Sequence, residues 1–280
     1  MTVLIAGCGD LGTEAGLRFA AAGHQVYGIR RSPEKLPPEI RGVKADVAID
    51  VPEVPDADIV VVALAADAST EEAYRAAYVD GLRNVLDAVG RQQVAPKRII
   101  FVSSTAVYKD AGGAVVDEST PAEPDRFSGR ILLEAEELFF SRHPHATVVR
   151  LGGIYGPGRT RLIDQVRSGK AVIPGQPKHT NRIHRDDAAA MIVHLATMSP
   201  DPGPVYLGVD DESAELGDVL RFLAAELRLP EPPVGPASDG GAGDKRCSNR
   251  RLRSTGFQFT FPSYTEGYRA ILAGEGVRHP

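Results

Sequence analysis

The sequence has few cysteines, no tryptophan and no long apolar run. Cys8 and Cys247 are its only cysteines in 280 residues, and they form no CxxC pair or metal-ligand spacing. A disulfide framework or a cysteine metal site is therefore not indicated, and we expect no metal. No run of 18 apolar residues is present, which argues against a membrane span.

The chain also lacks an excess of positive charge. Its 32 lysines and arginines are outnumbered by 37 aspartates and glutamates, which gives a net charge of −5. Proteins that bind nucleic acid or membrane surfaces favour a basic face, so we expect neither partner. The N-terminus enters an apolar stretch with no basic segment before it, so we predict no signal peptide and a cytoplasmic protein.

The first 150 residues alternate between strand and helix patterns. The apolar run Ile59–Ala65 is typical of a strand buried on both faces of a parallel sheet. Further strands are predicted over residues 3–6, 25–29, 43–46, 98–103 and 146–151, and helices over residues 11–22, 70–90 and 129–142. Strands separated by such helices predict an α/β fold with a Rossmann-type, doubly wound parallel sheet.

After residue 151 this alternation weakens. Shorter helices are predicted over residues 161–168, 185–198, 215–229 and 264–273, with a loop rich in Pro, Gly and Ala over residues 230–244. We therefore predict a dinucleotide-binding Rossmann domain over residues 1–152 and mainly a small α+β substrate lobe over residues 153–280. Segments around residues 182–200 are expected to return to the Rossmann core.

The hexapeptide Gly7-Cys8-Gly9-Asp10-Leu11-Gly12 is a GxGxxG motif between a predicted strand and a predicted helix. In this context Gly7 permits a tight turn, Gly9 lets the backbone approach a pyrophosphate, and Gly12 lets the helix pack close to the sheet. The helix start, at Asp10 and Leu11, supplies unpaired N–H groups to the phosphates. The alternative is an ordinary glycine-rich turn, but the context favours a dinucleotide site.

The end of the second predicted strand indicates which dinucleotide is bound. NAD-selective sites place an acidic residue there to hold the ribose 2′-hydroxyl, whereas this chain has Arg30 and Arg31. Guanidinium groups offer paired donors to a 2′-phosphate. The pattern therefore favours NADP(H) over NAD(H), with two solvated surface arginines as the alternative.

Five segments occur in an order that resembles a known family: residues 7–12, 63–66, 102–108, 151–158 and 182–187. Together they resemble the extended short-chain dehydrogenases/reductases, the NAD(P)-dependent epimerase/dehydratase family. The resemblance implies that Asp46 contacts adenine, that Ala63, Leu64 and Ala65 line the cofactor, and that Gly153 and Tyr155 approach the nicotinamide.

The catalytic residues of that family carry over only in part. The motif Ser103–Tyr108 places the family's hydroxyl residue at Ser104, where it would hydrogen-bond a substrate oxygen beside the nicotinamide. The alternative is that Ser104 caps a strand end. The family's YxxxK pair is absent, because its positions fall on Ser128 and Leu132. The chain thus resembles the atypical members that bind cofactor without this pair.

Three other side chains are weaker candidates for the missing acid. Tyr108 and Tyr155 are expected in loops beside the cofactor, and His184 titrates near neutrality at a helix start. Each has a structural alternative, which is packing for the tyrosines and helix capping for the histidine.

Two functions follow from this combination. The first is an NADP(H)-dependent oxidoreductase or epimerase/dehydratase-like enzyme on a small polar substrate, whose identity the sequence does not specify. The second is a redox-silent NADP(H)-binding sensor or regulatory protein. The resemblance also implies a homodimer that pairs helices 70–90 and 129–142, in which Leu133, Leu138, Phe139 and Phe140 would either meet a partner or face the sheet.

Overall fold

A sheet of seven parallel strands lies at the centre of the computed structural model, which describes residues 1–236 and 243–280. The strands are β1 (Thr2–Ala6), β2 (Gln25–Arg30), β3 (Ile40–Lys44), β4 (Ile59–Val62), β5 (Arg98–Ser104), β6 (Thr147–Leu151) and β7 (Val205–Gly208). Their spatial order is β7-β6-β5-β4-β1-β2-β3. This order confirms the predicted Rossmann-type fold.

The chain order reverses between β1 and β4, which lie side by side with Leu4 opposite Val60 and Ala6 opposite Val62. All four residues of β4 are buried because helices cover both faces of the sheet, as its unbroken apolar sequence predicts. Ligands of open parallel sheets bind where the strand order reverses, at the carboxyl ends of the strands. The fold therefore places a cleft beyond Ala6 and Val62.

Helices cover both faces of the sheet and build a smaller lobe beside it. They are α1 (Asp10–Ala21), α2 (Glu71–Arg75), α3 (Gly81–Val89), α4 (Phe127–Arg142), α5 (Arg161–Arg167), α6 (Arg185–Thr197), α7 (Leu216–Glu226), α8 (Arg250–Ser254) and α9 (Tyr264–Leu272). Apolar residues of α1 and α6 share one core with the sheet. Those of α3 and α4 share a second core on the opposite face.

The helix predicted over residues 70–90 is divided in the structure. A π-helical turn over Ala76–Asp80 separates α2 from α3, and all three segments follow without a break. The Thr70 hydroxyl accepts a hydrogen bond from the Ala73 N–H at 3.2 Å, which caps the start of α2. A π turn closes its hydrogen bond over one more residue than an α-helical turn does. The spacing of apolar residues in the sequence does not predict such a turn.

Two strands differ from the sequence prediction. The third strand begins at Ile40 rather than Val43, because the buried Ile40 side chain pairs with Val26 of β2. The seventh strand, β7, was missed entirely, because its four residues follow a Pro-Gly-Pro segment and carry no clear alternation. β7 pairs with β6 and so returns the chain to the sheet after α6.

The lobe beside the sheet is built on α5, α7 and α9, which share a third apolar core. Short strands pair in this region and around it: Gly153–Tyr155 with Arg182–His184, Ile173–Pro174 with Val234–Gly235, His179–Thr180 with Ala214–Glu215, and Val115–Val116 with Arg246–Cys247. The predicted loop over residues 230–244 thus contains a strand, and its residues 237–242 lie outside the described residues.

The apolar residues considered for a dimer contact on α4 pack within the chain itself. Phe139 is fully buried, and Leu138 and Phe140 pack against the same core. Leu133 packs against a smaller cluster around Val107 and Leu207. Phe139 thus faces the body of the protein, and the other three side chains are partly buried against it. Among the described helices, none is long and apolar enough to cross a membrane.

A buried polar network ties the end of β5 to its neighbours. Arg150 of β6 donates to the Glu136 carboxylate of α4 at 2.6 Å and to the Tyr108 oxygen at 2.7 Å. The Ser103 hydroxyl donates to the same carboxylate. The side chains of Arg150 and Glu136 are only 8% and 3% exposed. Each charge therefore needs the other to offset the cost of its burial. The network fixes the strand end that carries Ser104.

We predict that Glu136→Ala lowers the free energy of unfolding by about 3 kcal/mol or more, because it leaves the Arg150 guanidinium buried and unpaired. The double variant Glu136→Leu/Arg150→Met should lose less than Glu136→Ala, since it removes both charges. Urea denaturation measures both, with the exposed neighbour variant Glu137→Ala as control. Equal stability of Glu136→Ala and Glu137→Ala would contradict the assigned role.

Candidate functional site

The glycine loop, residues 7–12, joins β1 to α1 at the carboxyl edge of the sheet. Gly7 has a φ of +82°, and a Cβ there would collide with the Ala63 carbonyl after β4. A Cβ at Gly12 would lie 2.6 Å from the Gly7 carbonyl oxygen, so α1 could not pack as closely. A Cβ at Gly9 would meet nothing within 4 Å. Two glycines therefore permit the backbone packing, and the third faces open space.

The first turn of α1 holds a cluster of ion pairs. The Asp10 carboxylate accepts from Arg159 Nε and from Arg185 Nη1, each at 2.8 Å, and from the His279 N–H at 3.1 Å. Burial acts to raise the pKa of Asp10, but these donors and charges hold it below its ordinary value. Arg185 also donates to the Val277 carbonyl at 2.9 Å. The Asp10 side chain thus binds protein groups, including residues 277–279.

The cofactor cleft is a cavity of about 450 Å³ that runs from the glycine loop across the ends of β2 and β4. It is lined by predicted cofactor residues, among them Gly7, Gly9, Arg30, Arg31, Asp46, Ala63, Leu64 and Ala65. The structure therefore brings these residues together in one cleft. Its shape and lining fit a dinucleotide, since Gly9 leaves room beside a helix start that carries unpaired N–H groups.

The two arginines of the cleft have different partners. Arg31 makes a two-point contact with the Asp67 carboxylate at 2.7 and 2.8 Å. Arg30 donates to the Pro280 carbonyl at 3.1 Å. Asp67 follows β4 and also lines the cleft, so an acidic group is present here although the end of β2 carries none. Arg30 is thus the arginine whose charge is not matched by this carboxylate.

A second cavity of about 330 Å³, the inner cavity, continues from the glycine loop toward β5 and β6. Ser104 and Leu132 line it, and so do the residues Leu11, Gly12, Gly152 and Ile154. Leu132, which the resemblance aligns with the family's lysine, places an apolar side chain in this cavity. Ser128, which the resemblance places at the family's tyrosine position, lines none of the three cavities of this region in the part of the chain that the structure describes.

A third cavity of about 650 Å³, the basic cavity, opens toward the lobe. It shares Ser104, Gly152, Ile154 and Arg159 with the inner cavity, so the two spaces meet at these residues. Gly153 and Tyr155 also line it. The Ser104 Oγ accepts from the Ala106 N–H at 3.2 Å, which leaves the hydroxyl proton free to be donated.

The weaker candidates for a proton donor lie in packed surroundings. The Tyr108 hydroxyl donates to the Asp117 carbonyl at 3.0 Å and accepts from Arg150, and the side chain is 3% exposed. The Tyr155 hydroxyl contacts the Ser263 carbonyl at 3.3 Å, and burial raises its pKa. Tyr155 thus lines the basic cavity, whereas Tyr108 lines neither this cavity nor the inner cavity.

His184 is buried between aromatic rings and does not line the described cavities. Its ring lies 4.0 Å from that of Phe261 and 5.3 Å from that of Tyr155, centroid to centroid. Its Nδ1 accepts from the Asp186 N–H at 3.3 Å, which caps α6. Burial lowers the pKa of His184. Its ring is therefore neutral at pH 7 and does not titrate near neutrality as the sequence predicts.

Sequence reasoning missed most of the basic cavity. The sequence shows no basic pocket in the C-terminal part, yet six cationic side chains line this cavity: Arg159, Arg161, Lys170, Lys178, Arg182 and Lys245. They come from separate segments of the chain, so no local sequence motif predicts them.

Among the described residues, no group of three or more His, Cys, Asp or Glu side chains is arranged to hold a metal.

Arg182 lines the basic cavity, and Asp210 is bonded to its backbone. The Asp210 N–H donates to the Arg182 carbonyl at 2.7 Å, and the two side chains are 3% and 5% exposed. Burial raises the pKa of Asp210 to about 8, against the opposing charge of Arg182. The carboxyl is therefore largely protonated at pH 7.

Comparisons with known proteins agree with this geometry. A family model described as NAD(P)H-binding matches residues 7–199. A solved structure from Methylobacillus flagellatus, described as an NAD-dependent epimerase/dehydratase, is 37% identical, covers 98% of each chain and has a TM-score of 0.80. The Escherichia coli K12 protein YeeZ is 29% identical over 93% of this chain and 96% of YeeZ. A 3-diazoavenalumate denitrifying reductase from a Streptomyces species is 28% identical over 85% of each chain.

We predict that Asp210 makes stability fall as pH rises from about 4 to about 8, and that this contribution levels off above pH 8. The folded protein keeps a proton in that window that the unfolded chain has released, so the slope is at most about 1.4 kcal/mol per pH unit. Urea denaturation from pH 5 to 9 should show a shallower loss for Asp210→Asn than for the wild type. Asp211→Asn is the control, and parallel wild-type and Asp210→Asn curves would refute the shift.

Proposed function

Because the chain belongs to the NAD(P)H-binding, epimerase/dehydratase-like family of extended short-chain dehydrogenases/reductases, we propose that it is an NADP(H)-dependent oxidoreductase acting on a small polar substrate. One observation carries this proposal. Ser104 lines both the inner cavity and the basic cavity, at the residues where these spaces meet. A hydroxyl at such a junction can touch a molecule on either side.

The cofactor would lie along the cofactor cleft and the inner cavity. Gly7, Gly9 and Gly12 would hold its pyrophosphate at the start of α1, Asp46 would face the adenine, and Ala63–Ala65 would pack along it. When bound, the nicotinamide supplies or accepts a hydride. Gly153 and Ile154, on the strand that pairs with Arg182–His184, line the basic cavity, and Ile154 also lines the inner cavity.

Ser104 would position the substrate oxygen. The Ala106 N–H occupies one lone pair of its Oγ, so the hydroxyl proton is directed away from the backbone. That proton can form a hydrogen bond with a carbonyl or alcohol oxygen and stabilise the charge that develops on it. A serine cannot replace a proton it gives away, so the net proton must come from water or another acid.

The absence of the YxxxK pair supports a second candidate, a redox-silent NADP(H)-binding sensor. Leu132 lines the inner cavity where the family carries an ammonium group, and it cannot lower the pKa of any neighbour. The reductase activity of the Streptomyces relative, which is similar over 85% of this chain, favours the enzyme. The experiments below separate the two candidates.

We expect NADPH to bind about tenfold or more tightly than NADH, because Arg30 can form charge-assisted hydrogen bonds with a 2′-phosphate. Arg30→Ala should remove most of this preference, and Arg31→Ala should remove less, since Arg31 already pairs with Asp67. Calorimetric titration of both cofactors measures the affinities. Arg41→Ala, on the exposed surface of β3, is the matched control. Equal affinities of the wild type for NADPH and NADH would rule out the assignment.

We expect Ser104→Ala to reduce kcat/KM by about 10²–10⁴-fold on any carbonyl substrate that the wild type reduces, because it removes the hydrogen bond to the developing oxyanion. NADPH affinity should be unchanged. A panel of aldehydes, ketones and sugars, followed by absorbance of NADPH, identifies the substrate and measures the loss.

The control for this experiment is Ser141→Ala, which removes an exposed hydroxyl on α4. Full turnover in Ser104→Ala would show that the chemistry lies on another residue. NADPH that stays unoxidised across the whole panel would support the sensor instead.

A further inference from the structure

The basic cavity has a charge opposite to that of the whole chain. The chain carries a net charge of −5, yet no aspartate or glutamate is among the described residues that line this cavity, and six lysines and arginines are. Two nearby carboxylates that do not line the cavity pair with residues of its wall. Asp244 contacts the His179 ring at 2.9 Å, and Asp10 pairs with Arg159 at 2.8 Å. The cavity therefore concentrates positive charge beside the junction at Ser104.

Arg182 is a deeply buried cation of this cavity, and one of its donors is unused. The residue is 5% exposed, its Nη2 donates to the Thr180 hydroxyl, and the guanidinium lies 5.4 Å from the centroid of the Tyr264 ring. Nη1 is fully buried and has no hydrogen-bond partner among the described residues. A buried guanidinium with an unused donor is costly unless an acceptor arrives.

Asp210, whose backbone is bonded to Arg182, does not supply that acceptor. Asp210 is bonded to Arg182 only through the backbone, and no ion pair joins the two side chains in the described structure. One oxygen of the Asp210 carboxyl, Oδ2, is itself buried without a partner. Arg182 Nη1 and Asp210 Oδ2 thus both lack a hydrogen-bond partner in the described structure.

We propose that the substrate of this protein carries an oxyanion, a phosphate or a carboxylate, and that Arg182 is the buried anchor that binds it. This inference rests on the proposed function, because it names the substrate class of the same site. The planar guanidinium fork matches the two oxygens of either anion. Arg161 and Lys178 line the same cavity and add attraction for an approaching anion. A molecule that fills the cavity contacts both Arg182 and Ser104.

The test uses inorganic phosphate and succinate as probes on the full-length protein at constant ionic strength. The wild type should bind at least one probe, and Arg182→Gln should bind it about tenfold or more weakly, since a charge-assisted hydrogen bond is lost. Arg182→Lys keeps the charge without the fork and should fall between the two. Arg142→Gln, which removes an exposed arginine of α4 that pairs with Asp87, should match the wild type.

The probes distinguish the two oxyanions. Arg182-dependent binding of phosphate alone assigns a phosphorylated substrate, and Arg182-dependent binding of succinate alone assigns a carboxylate. Phosphate that binds equally well to Arg182→Gln sits elsewhere, for example at the glycine loop, and contradicts the proposal. Binding of neither probe to the wild type also overturns it.

A parallel titration with NADPH separates this inference from the proposed function. If NADPH binds but no probe depends on Arg182, the oxyanion anchor is wrong and the cofactor assignment stands. If a probe binds through Arg182 but NADPH does not bind, the anion site stands and the proposed function fails. Thermal unfolding of Arg182→Gln confirms that the variant is folded, which is expected because it removes an unsatisfied buried charge.

Discussion

The cleft at the edge of the sheet depends on one close contact between two backbones. Gly7 at the end of β1 lies against the Ala63 carbonyl after β4, so closely that a side chain at Gly7 could not fit. Gly12 then lies against the Gly7 carbonyl, which holds α1 over the same edge. Because α1 starts where the strand order reverses, its unpaired N–H groups face the cleft. A larger residue at either position would move the helix start away from it.

The cofactor cleft and the basic cavity differ in the charged residues that surround them. Carboxylates beside the cleft are engaged by arginines, as Asp10 is by Arg159 and Arg185, and Asp67 is by Arg31. The basic cavity has no such counter-charges among its described lining residues. One continuous space therefore passes from a cleft whose wall includes Asp46 and Asp67 to a cavity whose described lining holds cations and no carboxylate. Net charge, a property of the whole chain, does not describe either region.

The parts of the structure that follow from local pattern could be predicted, and the parts that join distant segments could not. The glycine loop and the buried strand β4 are each encoded in fewer than about ten consecutive residues, as such elements commonly are. Asp67, Arg182 and Lys245 reach their cavities only through tertiary packing. The start of β3 at Ile40 and the short strand β7 were set by pairing with neighbours, which a single segment does not report.

The contact between Asp10 and His279 joins residues that are 269 positions apart. The neighbouring contacts of Arg185 with Val277, and of Glu14 with the His279 ring at 2.8 Å, draw the same late segment onto the first helix. Closing a loop of this length costs chain entropy, which the ion pairs and hydrogen bonds of this segment help to offset. The flank of α1 is thus completed by residues 277–279, which couples the start of the cleft to a segment remote from it in sequence.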